Sequence, residues 1–379
     1  MARAAGVVVV GASIAGLTVV EELRSKGFGG PITLLESEDT AGYSRPLLSK
    51  GVLAGEGDPS TALLPAPEDL GVDVLRGTSA RGLDLDRNLV ELDGDALPFD
   101  KLVVATGARA LTLHDLGAND DCVPEVVLRT MDDAVRLRDL LGSARTVLVV
   151  GGGVLGMEVA SAASSKGLAV TVVDRGAPMA RTGGAFLSRM VSACARERGV
   201  QLVSAPEGAR LVERDSRPAV VAGGHLLEAD VVVTAVGCRP NVEWLARTGL
   251  SLSPGVVVDN RCRVREHIAA AGDVVSVEGS RRQPHWSTAL DQARVAADVL
   301  LYGDDASPYI NRPYFWTDQF GLSVKFAGRP TSDDPELVDG SQDTLSGLWR
   351  WTDAGHPHAA VAINRRIPIA RLLHTAGHS

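Results

Sequence analysis

The sequence lacks any hydrophobic run long enough to cross a membrane. A transmembrane helix needs about 20 consecutive apolar residues, whereas runs such as the four valines Val7 to Val10 end at a glycine after a few positions. The N-terminus also lacks the separate apolar core and cleavage site of a signal peptide. We therefore expect a cytoplasmic protein that makes no use of a membrane.

Cysteine is scarce, and no two cysteines are close in sequence. Cys122, Cys194, Cys238 and Cys262 lie far apart, so neither a CxxC nor a C-x4-C pair occurs. A redox-active disulfide and a zinc knuckle both lack their ligands, and the histidines show no metal-ligand spacing. We expect reduced, partly buried thiols and no metal site.

An excess of positive charge is absent as well. The chain has 38 basic and 47 acidic side chains and a formal net charge of −9, which argues against a nucleic acid as its main partner. Arg365, Arg366 and Arg371 lie in a C-terminal stretch without Asp or Glu. This stretch is either an arginine-bearing surface tail or one edge of a site for an acidic protein. The length of 379 residues suits two or three domains.

Two segments of the chain look like copies of one βαβ unit. Residues 7–38 read VVVVGASIAGLTVVEELRSKGFGGPITLLESE, and residues 147–176 read VLVVGGGVLGMEVASAASSKGLAVTVVDRG. Each starts with a β-branched run, which is typical of a parallel strand buried on both faces. Each then passes through a glycine turn into helical spacing that ends near a glycine. The pattern predicts two dinucleotide-binding folds.

Further strand-like runs flank these copies. They occur at residues 101–110, 231–241 and 268–277, and a helical stretch follows from Thr288 to Leu301. From about Ser307 the composition changes, because aromatic residues cluster in PYFWTDQFG and short strand-like pieces alternate with turns. We expect Phe315 and Trp316 of this cluster to be core aromatics, with an electron route as the alternative. The order predicts one domain interrupted by another, with a third, α+β domain at the C-terminus.

The second glycine motif is complete. In a dinucleotide site, the first glycine makes a tight turn, the second lets the backbone approach the pyrophosphate, and the third lets helix and strand pack closely. These positions hold Gly151, Gly153 and Gly156, and Asp174 follows 18 residues later at the end of the next strand. A carboxylate there binds a ribose 2′-hydroxyl and repels a 2′-phosphate. The motif favours NADH over NADPH, although the adjacent Arg175 could cover a phosphate.

The first glycine motif departs from the pattern at its middle position. It reads Gly11, Ser13 and Gly16, with Glu36 20 residues after the last glycine and Glu38 as a second candidate acid. A small hydroxyl can still fit and could itself donate to a phosphate. Two copies in one chain, each with strand, helix and acid in place, predict that two nucleotides bind.

The order of the motifs resembles that of the pyridine-nucleotide-linked flavoprotein reductases. It is most similar to the NADH-dependent ferredoxin reductases of the putidaredoxin reductase and biphenyl dioxygenase reductase type. The resemblance runs from Val7 to about Gly328 and rests on nine ordered motifs: GASIAG, RPLLSK, ATGARA, LRT, GGGVLGMEVA, AVGCRPN, AAGDV, ALDQAR and PYFWTDQFG. It implies an α/β fold with two Rossmann-like domains and a C-terminal α+β domain. The implied boundaries are 1–112 with 239–306 for an FAD domain, 113–238 for an NAD domain and 307–379 for the third domain.

The resemblance also implies which residues contact each cofactor. Those implied for FAD are Gly11, Ser13, Ala15, Gly16, Glu36, Glu38, Arg45, Lys50, Ala80, Thr106, Gly107, Arg129, Asp273 and Trp286. Those implied for the nicotinamide nucleotide are Gly151, Gly153, Val154, Leu155, Gly156, Glu158, Asp174 and Gly237.

Two of these residues are implied to tune the reaction. In the family, a lysine and a glutamate at the positions of Lys50 and Glu158 form an ion pair near flavin N5, where a cation stabilises negative charge on reduced flavin. The alternative is an ordinary surface lysine and a glutamate near a helix N-terminus that favours the helix dipole.

The missing cysteine pair separates this chain from the disulfide reductases of the superfamily. Electrons are therefore expected to leave FAD directly, one at a time, for a [2Fe–2S] ferredoxin that serves an oxygenase. The expected assembly is a monomer or weak homodimer.

The run Pro284-His285-Trp286 departs from the family pattern. His285 could exchange a proton beside the flavin or simply pack in its loop. Two other functions stay open: a flavoenzyme acting on a small organic substrate, and a redox-switched flavoprotein without a catalytic role.

Overall fold

The computed structural model describes residues 6–53, 58–119, 123–331 and 334–378. The chain divides into two compact units, each assembled from several segments. Unit 1 comprises Met1–Ser44, Leu63–Arg109 and Arg239–Asn311, and unit 2 comprises Arg45–Ala62, Ala110–Cys238 and Arg312–Ser379. Cys122 lies outside the described residues.

Unit 1 is built on a six-stranded, mostly parallel sheet. The central strand Val7–Val10 pairs in parallel with Ile32–Leu35 on one side and Lys101–Val104 on the other. Alternate valines of this strand belong to separate hydrophobic clusters, with Val7 and Val9 in one and Val8 and Val10 in the other. Both faces of the sheet are therefore covered, which explains the uninterrupted valine run. The strand order is Arg263–Arg265, Ile268–Ala270, Lys101–Val104, Val7–Val10, Ile32–Leu35 and Asp73–Leu75.

Two helices of unit 1 pack against each other beside this sheet. They are Ile14–Ser25, which follows the first glycine turn, and Trp286–Tyr302, which starts two residues before the predicted helical stretch. The remaining strands of the unit form two smaller sheets: Gly82–Asp84, Leu89–Glu91 and Ala96–Pro98, which are antiparallel, and Val256–Val258 with Val275–Val277, which are parallel. Short helical turns cover Pro67–Leu70, Glu243–Leu245 and Gly303–Asp305.

Unit 2 contains the second parallel sheet. Its strands are ordered Gln201–Ser204, Ala169–Asp174, Thr146–Val150 and Val231–Thr234, and every neighbouring pair is parallel. The helices of this part are Met131–Ser143, Val154–Ser165 and Ala180–Glu197, the last of which is interrupted at Gly184 (φ 72°). Short helical turns cover Arg45–Leu47, Leu48–Val52, Pro59–Ala62 and His114–Leu116. A three-stranded antiparallel sheet comprises Ala209–Arg214, Arg217–Ala222 and His225–Glu228.

The C-terminal part of unit 2 is a five-stranded antiparallel sheet with one helix. The strand order is Tyr314–Gln319, Leu322–Gly328, His356–Ile363, Ser346–Asp353 and Glu336–Ser341, and the helix is Ile369–Thr375. Phe315 stacks on Phe326, with ring centroids 5.4 Å apart, and Trp316 stacks on Tyr314. The strands Ala108–Ala110 and Cys238–Pro240 lie where the chain passes from one unit to the other.

The predicted α/β fold, with two dinucleotide-binding folds and an α+β C-terminal part, is confirmed. The domain boundaries given above stay a prediction. Over the described ranges, no helix combines the length and hydrophobicity that a membrane crossing requires.

Candidate functional site

The first glycine turn, Gly11 to Gly16, connects the strand Val7–Val10 to the helix Ile14–Ser25. Gly11 has φ 111°, a conformation that side chains rarely adopt, and a Cβ there would lie 2.2 Å from the Ala105 carbonyl oxygen. A Cβ on Gly16 would lie 1.9 Å from the carbonyl oxygen of Gly11. Both positions therefore require glycine for steric reasons.

The second glycine turn, Gly151 to Gly156, repeats this geometry within unit 2. Gly151 has φ 113°, and its Cβ would lie 2.3 Å from the Ala235 carbonyl oxygen. A Cβ on Gly156 would again lie 1.9 Å from the first glycine's carbonyl oxygen. The two turns thus impose the same constraints at their first and third positions.

The middle position of each turn is different, because it does not need glycine. Ser13 has φ −85° and Gly153 has φ −75°, which are ordinary values for any residue, and both are N-cap residues. No atom lies within 4 Å of a Cβ built on Gly153. The serine of the first turn is therefore sterically compatible with the fold. Its hydroxyl makes no capping hydrogen bond, so it stays available to a ligand.

A carboxylate braces each glycine turn. Glu36 Oε2 accepts a hydrogen bond from the backbone N–H of Ala12 at 3.0 Å. Asp174 Oδ2 accepts one from the N–H of Gly152 at 2.5 Å. In both turns the donor is the residue directly after the first glycine. Glu36 is therefore the structural counterpart of Asp174, whereas Glu38 accepts a hydrogen bond from the hydroxyl of Tyr43 at 2.7 Å.

Each turn leaves room and hydrogen-bond donors for a phosphate. The helices Ile14–Ser25 and Val154–Ser165 have no acidic residue in the first turn and no side-chain cap. Their first backbone N–H groups and the positive end of the helix dipole therefore remain available to an anion. Leu155, at the start of the second helix, keeps 37% of its surface exposed, and Val154 precedes it. The residues present fit one dinucleotide in unit 1 and another in unit 2.

Other predicted residues of unit 1 gather at the carboxyl edge of its sheet. Thr106 Oγ1 donates to the Asn241 carbonyl oxygen at 2.8 Å, and Asn241 Nδ2 donates to the Thr106 carbonyl oxygen at 2.9 Å. Gly107 also takes part, because its carbonyl oxygen accepts from the N–H of Asn241. Asn241 was not among the predicted site residues, although it ends the AVGCRPN motif that we singled out.

Asp273 lies close to the first glycine turn. The preceding Gly272 has φ 86°, and a Cβ on it would lie 3.0 Å from the Cβ of Ala15. The Gly272 N–H donates to the buried Gln292 side chain at 3.0 Å. Asp273 is thus held beside the start of the helix Ile14–Ser25.

The remaining predicted residues are distributed over both units. In unit 1, Ala80 and Trp286 are half-buried, and Trp286 begins its helix after the N-cap residue His285. In unit 2, Arg45 Nη1 donates to the Arg129 carbonyl oxygen at 2.7 Å, which joins the RPLLSK segment to the LRT motif. Gly237 has φ 129°, and its carbonyl oxygen accepts from the N–H of Leu111.

A buried ion pair joins Lys50 to Glu158 within unit 2. Lys50 Nζ lies 2.8 Å from Glu158 Oε1, and the two side chains are 17% and 4% exposed. Lys50 also donates to the Pro46 carbonyl oxygen at 3.3 Å. Glu158 is the fifth residue of its helix and faces the interior. The alternative of an ordinary surface lysine is therefore wrong, while the role of the pair beside a flavin stays a prediction.

Two hydroxyl groups that sequence reasoning missed complete this site. Ser49 donates a short hydrogen bond to Glu158 Oε2, and Thr317 Oγ1 donates to Glu158 Oε1 at 2.6 Å. Ser49 adjoins Lys50 in RPLLSK, and Thr317 lies within PYFWTDQFG, so both belong to motifs that we recognised. Their sequence positions carry no signal that they converge on one carboxylate.

Two parts of the sequence match known protein families. Residues 5–293 match the family described as pyridine nucleotide-disulphide oxidoreductase. The chain belongs to this family. Residues 314–378 match a second family, described as reductase C-terminal, and the predicted resemblance is confirmed. The cofactors that this family implies are FAD and a nicotinamide nucleotide, which agrees with the two glycine turns.

Three relatives illustrate the similarity. Rhodocoxin reductase of Rhodococcus erythropolis is 36% identical over 89% of this chain and 81% of its own. The ferredoxin–NAD(+) reductase component of the anthranilate 1,2-dioxygenase system of Burkholderia cepacia is 35% identical over 98% of this chain and 94% of its own. The solved covalent complex of putidaredoxin reductase with putidaredoxin contains a chain that is 27% identical. That similarity covers 100% of this chain and 94% of the solved chain, with a TM-score of 0.86.

Although the family is named for disulfide chemistry, two of the thiols, Cys194 and Cys262, are buried and ill-suited to it. Burial raises the pKa of the Cys262 thiol to about 12, and it also raises the pKa of Cys194. A buried thiol that stays protonated is a poor nucleophile. Along the described chain, no group of three or more His, Cys, Asp or Glu side chains could hold a metal ion.

Proposed function

We propose that this chain takes a hydride from NADH onto bound FAD and passes the electrons singly to a [2Fe–2S] ferredoxin that serves an oxygenase. The observation that carries the proposal is the repeated glycine turn. Its first glycine has φ 111° in unit 1 and φ 113° in unit 2, and a carboxylate accepts a hydrogen bond from the next backbone N–H in each unit. Two dinucleotide sites in one chain support electron transfer from one bound nucleotide to the other. When bound, FAD supplies the chemistry, since it accepts a hydride as an electron pair and can release single electrons.

The protein's own contribution is to bind and orient the two nucleotides. In unit 1, the N–H groups that follow the first glycine turn bind the FAD pyrophosphate, while Glu36 and Asp273 bind its hydroxyl groups. In unit 2, the second glycine turn binds the pyrophosphate of NADH. No general base is required, because hydride transfer needs only close approach and alignment.

Lys50 and Glu158 tune the charge at the reacting centre in this proposal. The Lys50 ammonium group favours the negative charge that develops on reduced flavin. The Glu158 carboxylate holds that ammonium in place at 2.8 Å. Both side chains are largely buried. Removing either one would therefore leave an unpaired charge in the interior, which is unfavourable.

Asp174 supports a preference for NADH over NADPH. Its carboxylate is fixed by the N–H groups of Gly152 and Gly176, the latter at 2.9 Å. A carboxylate held at this position accepts a hydrogen bond from a ribose 2′-hydroxyl and repels a 2′-phosphate. Arg175, the residue that could cover a 2′-phosphate, is exposed beside it. Its presence leaves the negative charge of Asp174 in place.

The partner is inferred from the relatives and from the thiols. One relative is named as a ferredoxin–NAD(+) reductase component of a dioxygenase system, and another is seen in covalent complex with putidaredoxin. Since this chain has no closely spaced cysteine pair, electrons have no dithiol to pass through. We also predict that the protein is a monomer or a weak homodimer. The division into three domains given above is a further prediction.

The decisive experiment is anaerobic stopped-flow reduction of the FAD-loaded protein by NADH and by NADPH, followed by addition of a [2Fe–2S] ferredoxin. Rapid bleaching of the flavin by NADH and fast reoxidation by the ferredoxin are expected. If no ferredoxin reoxidises the reduced flavin but a small organic compound does, the proposal that a ferredoxin is the electron acceptor is wrong. The loop Pro284–Trp286 would then be the first candidate for a small-molecule substrate site.

The charge on Asp174 is tested by Asp174→Asn, which keeps a hydrogen-bond acceptor and removes the negative charge. The ratio of NADH to NADPH efficiency should fall by about tenfold, which corresponds to about 1.4 kcal/mol of lost discrimination. Arg175→Ala is the companion variant, and it should leave the NADH rate unchanged. A ratio unaffected by Asp174→Asn would refute this account of the specificity.

A further inference from the structure

The Glu158 carboxylate receives hydrogen bonds from two separate parts of unit 2. Ser49 and Lys50 come from the short helical turn Leu48–Val52, whereas Thr317 comes from the C-terminal strand Tyr314–Gln319. Thr317 is completely buried, and Gln319, two residues further along the strand, is 2% exposed. Asp318 between them is exposed, as the alternation of a strand requires.

The hydrogen bonds of this strand run in one fixed direction. A threonine hydroxyl has a single hydrogen, and Thr317 donates it to Glu158 Oε1. Its oxygen can then only accept, and it does so from Gln319 Nε2 at 3.2 Å. The amide orientation of Gln319 is thus set by the charge of Glu158, since the opposite orientation would place two acceptors against each other.

The same amide reaches towards the second glycine turn. Gln319 Nε2 lies 3.8 Å from Met179 Sδ. The backbone N–H of Met179 donates to the Gly152 carbonyl oxygen at 2.8 Å. A series of contacts therefore runs from the second glycine turn through Met179, Gln319 and Thr317 to Glu158.

We propose that Thr317 is a positioning residue that holds the Glu158 carboxylate against Lys50, while Gln319 donates to the Thr317 oxygen. The inference rests on the proposed role of Glu158 beside the flavin. Without the Thr317 hydroxyl, Glu158 Oε1 keeps only Lys50 as a donor and faces a methyl group. Hydrogen bonds to a charged group are stronger than those between neutral groups, so the loss of this one lets the carboxylate turn away from Lys50.

The test compares Thr317→Val, which removes only the hydroxyl, with Thr317→Ser, which retains it. One readout is the midpoint potential of the bound FAD, measured by spectroelectrochemical titration, and the other is the limiting rate of flavin reduction by NADH. Thr317→Val should shift the potential in the positive direction, as Glu158→Gln should, because the negative charge is then no longer held beside Lys50. A tenfold change in the ratio of reduced to oxidised flavin corresponds to about 30 mV, and about this shift is expected. Thr317→Ser should restore both values.

Two controls separate this effect from general loss of packing. Thr234→Val removes the hydroxyl of another buried threonine in unit 2. The hydroxyl oxygen of Thr234 has no hydrogen-bond partner among the described residues. Asp318→Asn alters the exposed neighbour on the same strand. Both variants should keep the wild-type potential.

A double-mutant cycle decides whether Thr317 acts through Glu158. In the Glu158→Gln background, Thr317→Val should change the rate by less than twofold. It should shift the potential by less than about 9 mV, which corresponds to a twofold change in the ratio of reduced to oxidised flavin. An undiminished effect in that background, or failure of Thr317→Ser to rescue, would overturn the inference. If Glu158→Gln changes neither readout, both the role of Glu158 and this inference are wrong. Measuring whether the wild-type protein reduces a ferredoxin tests the proposed function separately.

Discussion

Gly156→Ala should destabilise the protein and Gly153→Ser should not, although both add a side chain to the same turn. A Cβ on Gly156 would lie 1.9 Å from the Gly151 carbonyl oxygen, and real Cβ atoms essentially never approach closer than 3.0 Å. The helix or the turn must therefore move by at least 1.1 Å, the difference between these two distances. Overpacking of this kind costs about 1–3 kcal/mol.

Gly153→Ser is the matched control. The backbone there already has φ −75°, and nothing lies within 4 Å of the new Cβ. Serine is also favoured over glycine at a helix N-cap, by a few tenths of a kcal/mol. We expect the free energy of unfolding to stay within about 0.5 kcal/mol of the wild-type value, which is typical of an unstrained surface change.

The assay is differential scanning calorimetry of the full chain with saturating FAD. A loss of 1 kcal/mol lowers the melting temperature by about 2–4 °C for a unit of 150–250 residues. Gly156→Ala should therefore melt several degrees below the wild type, while Gly153→Ser should melt with it. Equal melting temperatures for the two variants would refute the steric account of the turn.

Two further variants probe charges. Lys50→Met should lower the free energy of unfolding by about 2–3 kcal/mol in urea titrations, somewhat less than the 3–5 kcal/mol typical of a broken buried pair, because the two hydroxyl donors to Glu158 remain. Adding Glu158→Gln should recover part of the loss, and a larger loss in the double variant would contradict the ion-pair account. The pKa of Asp230 is lowered by hydrogen bonds from the backbone N–H groups of Arg145 and Thr146, so its stabilising effect is present above the unfolded pKa of about 3.9 and is lost as pH falls through the lower folded value. Asp230→Asn should melt at a lower temperature than the wild type at pH 7. The difference should shrink as the pH falls below about 4 and vanish below the folded pKa; a difference independent of pH would contradict this.

The glycine turns could be predicted from the sequence because their glycines stand at a fixed spacing between a strand and a helix. Gly11 and Gly16 are required by contacts within a few residues and with the adjacent strand. The valine run before the turn likewise indicated a strand covered on both faces. What the sequence left open was the acid, since Glu36 and Glu38 are both suitably spaced. Only the backbone N–H of Ala12, to which Glu36 is hydrogen bonded, distinguishes them.

The surroundings of Glu158 could not be predicted in the same way. Lys50 precedes it by 108 positions and Thr317 follows it by 159. No periodicity connects residues so far apart, and the pairing of Lys50 with Glu158 was inferred only from family resemblance. Strand alternation could have indicated that Thr317 and Gln319 share a face. It could not have indicated which buried group they meet.

The hydrogen bond from Thr317 to Glu158 also bears on how far this protein can be cut or recombined. The match to the first family ends at residue 293 and the match to the second begins at residue 314, which suggests a natural place to exchange modules with a relative. Yet the strand Tyr314–Gln319 supplies one of the donors to the carboxylate that pairs with Lys50. A chimera joined between those residues would inherit a working pair only if the donated strand brought a hydroxyl at position 317. If the proposed role of this pair holds, the C-terminal sheet is part of the scaffold of the reaction centre, and the protein is not modular where its two family matches divide.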